Sequence, residues 1–393
     1  MGLVQPLPAQ VAKIKVVGIG GAGTNAINHM SQEDNIQGVD FVAINTDAQS
    51  LLVSQAKIKI QIGEKLTKGL GSGGNPEIGQ KAAEESKEKI KKVLEGADMV
   101  FIATGAGGGT GTGASPIIAE IAKNELKALT VAVVTKPFLF EGTKRMVIAE
   151  EGIENLKQTT DTLITIPNQK LLEMTNKELT FLEAFKTVDS VLSRAVKGIA
   201  EIITTPGLIN LDFADIKAIM QNAGSALMGI GFGSGENRVQ EAVQEAINSP
   251  LLDLSIKGAR GILFNITGGN DLSMTEVKQI AELISQNAGG DANIIFGANI
   301  DDSFKDQVKI TLIATGFDDQ KLTLAGLMKS KPLEKVIFDP KEATKKQILK
   351  IKQPIKGKKE DLFKSIPIDK DDLPEGVEIE DQFDIPAFLR RNQ

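Results

Sequence analysis

Apolar and polar positions along the first 170 residues alternate between two textures. Short, nearly unbroken apolar runs stand at "IKVVGIG" (14–20), "VDFVAIN" (39–45), "DMVFIAT" (98–104), "LTVAVVT" (129–135) and "DTLITIP" (161–167). Runs of that length, rich in Val and Ile and lacking alternation, predict strands buried on both faces. Between them lie segments with helical spacing, such as the one opened by Asn75–Pro76, where Asn can cap and Pro suits the first helical position. "SPIIAEIAKNELKAL" (115–129) is a second such segment. Alternating strands and helices predict a parallel sheet covered on both sides, an α/β fold with Rossmann-like character. Next, Phe181, Phe185, Val188, Leu192, Val196, Ile199 and Ile203 step by three and four through "FLEAFKTVDSVLSRAVKGIAEIITT" (181–205). That pattern predicts a helix roughly 35 Å long, enough to form a spine between two domains. A second unit, 223–317, reads β-α-β-α-β-β and predicts a smaller α+β domain.

Beyond residue 317 the periodicity stops. Residues 318–380 are rich in lysine, acids and proline, which predicts a disordered linker. Apolar side chains return in "DQFDIPAFLRRNQ" (381–393), too short to be a stable helix alone and suited to docking in a partner's groove. The expected organisation is an N-terminal extension (1–12), a nucleotide-binding domain (13–180), a central helix with a following loop (181–222), a C-terminal α+β domain (223–317), the linker and the tail peptide.

Composition narrows the function. The 393 residues contain no cysteine, tryptophan or tyrosine, and His29 is the only histidine, so thiolate and histidine-cluster metal sites are excluded. A formal charge of −6 argues against a nucleic-acid binder. No run approaches the ~20 apolar residues of a spanning helix, and "MGLVQPLPAQ" lacks a signal pattern, so the expectation is a cytoplasmic protein.

Three glycine-rich stretches carry the chemistry: "VVGIGGAGTNA" (16–26), "GLGSGGNP" (69–76) and "GAGGGTGTGAS" (105–115). Glycine at that density is costly in backbone entropy, and its use at a strand-to-helix turn is to let main-chain N–H groups converge on an anion. Gly18, Gly20 and Gly23 alone fit the dinucleotide fingerprint, with Asp40 or Asp47 as the ribose acid, so an NAD-dependent oxidoreductase is the alternative reading. Three loops at neighbouring strand ends suit a triphosphate better than a pyrophosphate. No GxxxxGK[ST] is present, which leaves amides and threonine hydroxyls to hold the phosphates, with Mg²⁺ bound mostly through phosphate and water.

"GGGTGTG" (107–113) resembles the signature of the tubulin superfamily. Its surroundings resemble the FtsZ family of bacterial cell-division GTPases: "GGAGTNA" (20–26), "NTDAQ" (45–49), "TKPFLFEG" (135–142), "IPNQKLL" (166–172), "NLDFAD" (210–215), "GGNDLS" (268–273) and "DIPAFLRR" (384–391). Ala106 and Ser115 depart from the commonest residues of that pattern without removing a backbone donor. The resemblance implies a GTP/GDP site. Gly20, Gly21, Ala22, Gly23, Thr24 and Asn25 would hold the nucleotide from the first loop. Gly71, Ser72, Gly73 and Gly74 would lie by the γ-phosphate, and Gly107, Gly108, Gly109, Thr110, Gly111 and Thr112 would wrap the phosphates. Glu141 and Arg145 would contact the ribose; from spacing alone they are equally a surface ion pair at i, i+4. Asn168, Phe185 and Asp189 would read guanine, against simpler roles as a cap, a core ring and a solvated acid. Asn210, Asp212 and Asp215 would complete hydrolysis from the next subunit of a head-to-tail filament, although Asp212 and Asp215 also suit an ordinary helix cap. Further implied are a homopolymer forming the ring at the mid-cell division site, and membrane-tethering or regulatory division proteins as partners of residues 381–393.

Overall fold

The computed structural model describes residues 12–34, 38–174, 180–204, 207–209, 211–249, 256–290 and 292–317. Asn210, the linker and the tail peptide lie outside them. The chain opens with β1 (Ile14–Ile19), α1 (Gly20–His29), β2 (Val39–Asn45), α2 (Ala48–Leu52), β3 (Ile58–Gln61) and α3 (Glu64–Thr67). It continues with α4 (Pro76–Glu85), α5 (Lys87–Leu94), β4 (Met99–Gly105), α6 (Thr110–Glu120), β5 (Leu129–Lys136), α7 (Thr143–Thr159), β6 (Thr162–Pro167) and α8 (Asn168–Met174). The long α9 (Phe181–Thr204) and α10 (Phe213–Met220) lead into β7 (Gly224–Ser234), α11 (Arg238–Ile247), β8 (Gly261–Gly268), α12 (Met274–Asn287), β9 (Asn293–Ile300) and β10 (Gln307–Thr315).

All ten strands join one sheet in the order β3-β2-β1-β4-β5-β6-β7-β10-β8-β9. The run from β3 to β6 is parallel throughout, and β10 alone runs antiparallel to its neighbours β7 and β8. The unbroken apolar runs of β1, β2, β4 and β5 have the predicted cause. Alternate residues feed two different cores, since successive side chains leave opposite faces of a strand. Val16, Phe101, Val131 and Val133 pack with Leu192, Val196 and Ile199 of α9. Val17, Ile19, Ile102 and Val134 pack on the other face with Ala82, Ala83, Ala114 and Ile118 of α4 and α6. A third core, built on Ile262, Phe264, Ile310 and Leu312, is covered by α11 and α12.

Two differences from the sequence expectation matter. The helix after the third glycine stretch starts at Thr110, inside that stretch, and gives way to a π-turn at Ile121–Glu125. Its first turn can pack only because it is small: Gly113 lies against the start of α4, where a Cβ would collide with Pro76 O and Gln80 N. The short β3 was not expected; "IKIQ" sits half-buried at the sheet's edge.

Candidate functional site

Parallel α/β sheets bind ligands beyond the carboxyl ends of their strands, where the strand order reverses. Here the order reverses between β1 and β4, which places the first and third glycine stretches side by side. A cleft of about 390 Å³ opens there, lined from the first stretch by Gly20, Gly21, Ala22 and Asn25 and from the third by Gly108, Gly109, Thr110 and Gly111. Ser72, Glu141, Arg145, Asn168, Phe185 and Asp189 complete the predicted residues on its wall.

The central part is a main-chain cradle. α1 and α6 both begin at the cleft, and neither has a side-chain cap at Ile19 or Gly109. Among the described residues, the N–H groups from Gly108 to Thr112 have no protein acceptor. Five such donors in a row, with two helix N-termini behind them, form a site for negative charge. Most glycines here are dictated by packing: a side chain on Gly20 (φ 70°) would press on Gly111 N at 2.9 Å. Gly21 and Gly108 differ, because a Cβ on either meets nothing within 4 Å although both line the cleft. They leave room for something outside the protein.

Several predicted residues serve this cradle from behind and do not line it. Thr24 Oγ1 donates to Gly20 O at 2.8 Å, and Thr112 Oγ1 accepts from Gly107 N at 2.9 Å. Gly23 packs against Ala103 O. In the second stretch, Gly71, Gly73 and Gly74 have φ of 83°, 60° and 75°, a left-handed path that glycine adopts without strain. That path presents Ser72 to the cleft.

The far end holds different chemistry. Arg145 Nη1 donates to Glu141 Oε2 at 2.7 Å, and Glu141 Oε1 accepts from Phe138 N at 2.8 Å, so the pair is both an ion pair and a wall of the cleft. Phe185 is half-buried and held edge-on to Phe138 at 5.4 Å. Asn168 is buried, and its Oδ1 has no hydrogen-bond partner. Burial pushes the Asp189 carboxyl up to about 7. Two acceptors at one end of a cleft, one of them wholly unsatisfied, call for a ligand edge rich in N–H donors, as guanine's is.

A family profile described as the GTPase domain of the Tubulin/FtsZ family matches residues 13–176, and one for the C-terminal domain of the FtsZ family matches 224–318. A solved structure of the M. jannaschii FtsZ dimer is 52% identical over 78% of this chain and 88% of its own, with a TM-score of 0.74. This chain belongs to the FtsZ family. A point mutant of M. jannaschii FtsZ matches at the same identity and TM-score, over 78% of this chain and 91% of its own. CetZ2 from Haloferax volcanii, at 17% identity over 86% of this chain and 99% of its own, shares the fold with a TM-score of 0.68.

As an FtsZ-family protein the chain is a tubulin-like GTPase, of the cell-division and cytoskeletal kind, that binds GTP and GDP. The dinucleotide reading is not favoured: Asp47, its candidate ribose acid, caps α2 through Gln49 N and accepts from Ser50 Oγ at 2.7 Å. Asp212 and Asp215 form a reciprocal capping box on α10, with Asp215 N donating to Asp212 Oδ1 at 2.8 Å. Neither lines the cleft. Sequence reasoning passed over Thr135, Pro137 and Val188 on the wall, and the buried Thr46 behind it. Thr46 follows directly on β2, and a position just past a parallel strand's carboxyl end was the available signal.

Proposed function

We propose that this GTPase assembles head to tail into filaments and cleaves GTP at the junction between subunits. The observation that carries this reading is where the acids lie. Among the described residues only Glu141 and Asp189 bring carboxylates to the cleft; one is tied to Arg145, and the other stands on α9 beside Phe185. No carboxylate of the described residues lines the phosphate cradle, so an attacking water there must be oriented from elsewhere. We assign that role to Asp212 and Asp215 at the start of a neighbour's α10, together with Asn210 of the same motif. Phosphoryl transfer depends chiefly on positioning and charge stabilisation, so acids supplied in trans are sufficient to switch it on. A head-to-tail contact is heterologous and extends into a filament when its rotation does not close. The solved M. jannaschii relative is a dimer, and the Haloferax volcanii CetZ2 is a GTPγS-bound protofilament.

Mg²⁺ fits the cradle in a limited way. No three His, Asp or Glu of the described residues group to hold a metal, and Ser72 and Thr110 supply hydroxyls at the cleft. The ion would therefore be held chiefly by phosphate oxygens and water, where it would offset charge on the triphosphate. Among the described residues no helix is long and apolar enough to cross a membrane. We assign attachment at the division ring to partners of residues 381–393.

The deciding experiment follows phosphate release and sedimentation together across a protein dilution series with GTP. Turnover per subunit is expected to rise from near zero above a threshold concentration. Asp212→Ala is expected to bind GTP normally and form long-lived filaments. A turnover independent of concentration, or normal hydrolysis by Asp212→Ala, overturns catalysis in trans.

A further inference from the structure

Thr46 has no exposed surface, yet it carries a hydroxyl. Burying a hydroxyl is costly unless its hydrogen bonding is satisfied. Its Oγ1 lies 2.7 Å from Thr110 Oγ1, and Thr110 Oγ1 lies 3.0 Å from Ser72 Oγ. Three loops that are 26 to 64 residues apart are thus joined by one chain of hydroxyls. A second bond, from Thr67 Oγ1 to Thr46 O at 3.3 Å, holds the Thr46 backbone in place.

The proton count gives this chain a direction. Each hydroxyl has one proton to donate. Among the described residues Thr110 Oγ1 is the only hydrogen-bond partner of Thr46 Oγ1. If Thr46 accepted from Thr110, its own proton would be buried without an acceptor. Thr46 therefore donates to Thr110, the Thr110–Ser72 bond uses a second proton, and the one remaining donor, on Ser72 or Thr110, is left for the cleft that both residues line.

The position of that donor along the cleft is set by the sheet. Asn168 follows β6, while the loop carrying Ser72 is pinned to the end of β2 through the Asp47–Leu70 bridge. From β6 to β2 is four strand spacings in the sheet order, about 19 Å at ~4.8 Å each. With a base at Asn168 and Asp189 and the first phosphates on the main-chain cradle, the terminal phosphate falls at Ser72 and Thr110.

We propose that Thr46 is a positioning residue for the γ-phosphate: it fixes the hydroxyl chain Thr46–Thr110–Ser72 with its one free donor turned toward the triphosphate, and so makes the cleft prefer GTP to GDP. This rests on the nucleotide lying in the cleft as described. The test compares wild type, Thr46→Val and Thr46→Ser at subunit concentrations below assembly. It measures affinity for GDP and for a GTP analogue with an uncleavable β,γ-methylene bridge. Valine keeps the shape and removes the proton, so the analogue is expected to bind about tenfold more weakly while GDP changes less than about twofold. Serine restores the proton and is expected to restore the analogue. Parallel weakening of both nucleotides, or no weakening, overturns the proposal. Gly108→Ala serves as the control for the cleft itself, since its new methyl occupies the open cradle and is expected to weaken both nucleotides. If Gly108→Ala binds both normally, the placement of the nucleotide fails, whatever Thr46→Val does.

Discussion

Asp189 shows how one side chain makes a cleft sensitive to pH. Its carboxyl is raised to about 7 by burial alone. Because the folded value lies above the ordinary carboxylate value of 3.8, the nucleotide-free fold binds a proton more tightly than the unfolded chain does. That contribution to stability is fully present below about pH 4 and is lost as pH rises through about 7. If Asp189 reads guanine, as the resemblance implies, recognition has the opposite sign, because only the anion accepts from two N–H groups. GTP affinity is expected to climb between pH 6 and 8 (roughly a pH unit either side of 7), and Asp189→Asn is expected to flatten both profiles, read by thermal melting and by titration. Asn168 was readable because it stands in "IPNQKLL", and Phe185 and Asp189 because the resemblance reaches the helix that carries them. Thr46 stands in "NTDAQ", just past a strand's end, but its role was not readable, since that depends on an oxygen 64 residues away.

At the scale of elements, the third glycine stretch is a loop in composition and half a helix in fact. Glycine and threonine are poor helix formers, so propensity alone places the helix start too late, at 115. Packing reverses that preference: α6 lies on α4 with glycines at the contact, and Gly79 faces Gly109 O while Gly113 faces Pro76 O. Gly113→Ala is therefore expected to lower stability by about 1–3 kcal/mol through overpacking, measured by urea unfolding. The open Gly108 should cost little there. The edge strand β3 was missed for a related reason, since four residues carry too little pattern to be distinguished from a turn.

For the whole molecule, most strands were readable and their order was not. The apolar runs announced β1, β2, β4, β5 and β6, but nothing in them says that β7 continues the same sheet. That seam is narrow, with only Thr162–Gly224, Leu163–Ser225 and Ile164–Ala226 in register. Asp161 reinforces it: the buried carboxylate accepts from Thr130 N at 3.0 Å and Asn222 N at 3.2 Å, and its carbonyl accepts from Gly224 N at 2.9 Å. Lys123 Nζ stands 3.3 Å from the same carboxylate. Asp161→Ala leaves two amides without their acceptor and breaks the ion pair with Lys123, whose Nζ keeps its bond to Thr160 O at 2.7 Å. It is expected to destabilise by about 2–4 kcal/mol, with amide exchange rising first along β7 and the start of β6.

The main-chain cradle has a consequence for chemical modification. Arg145 is the only lysine or arginine among the described residues lining the cleft. Acetylating every lysine would make the surface more acidic yet alter none of the groups that line the cleft. Nucleotide retention should survive that treatment, because a peptide N–H offers such reagents nothing to react with.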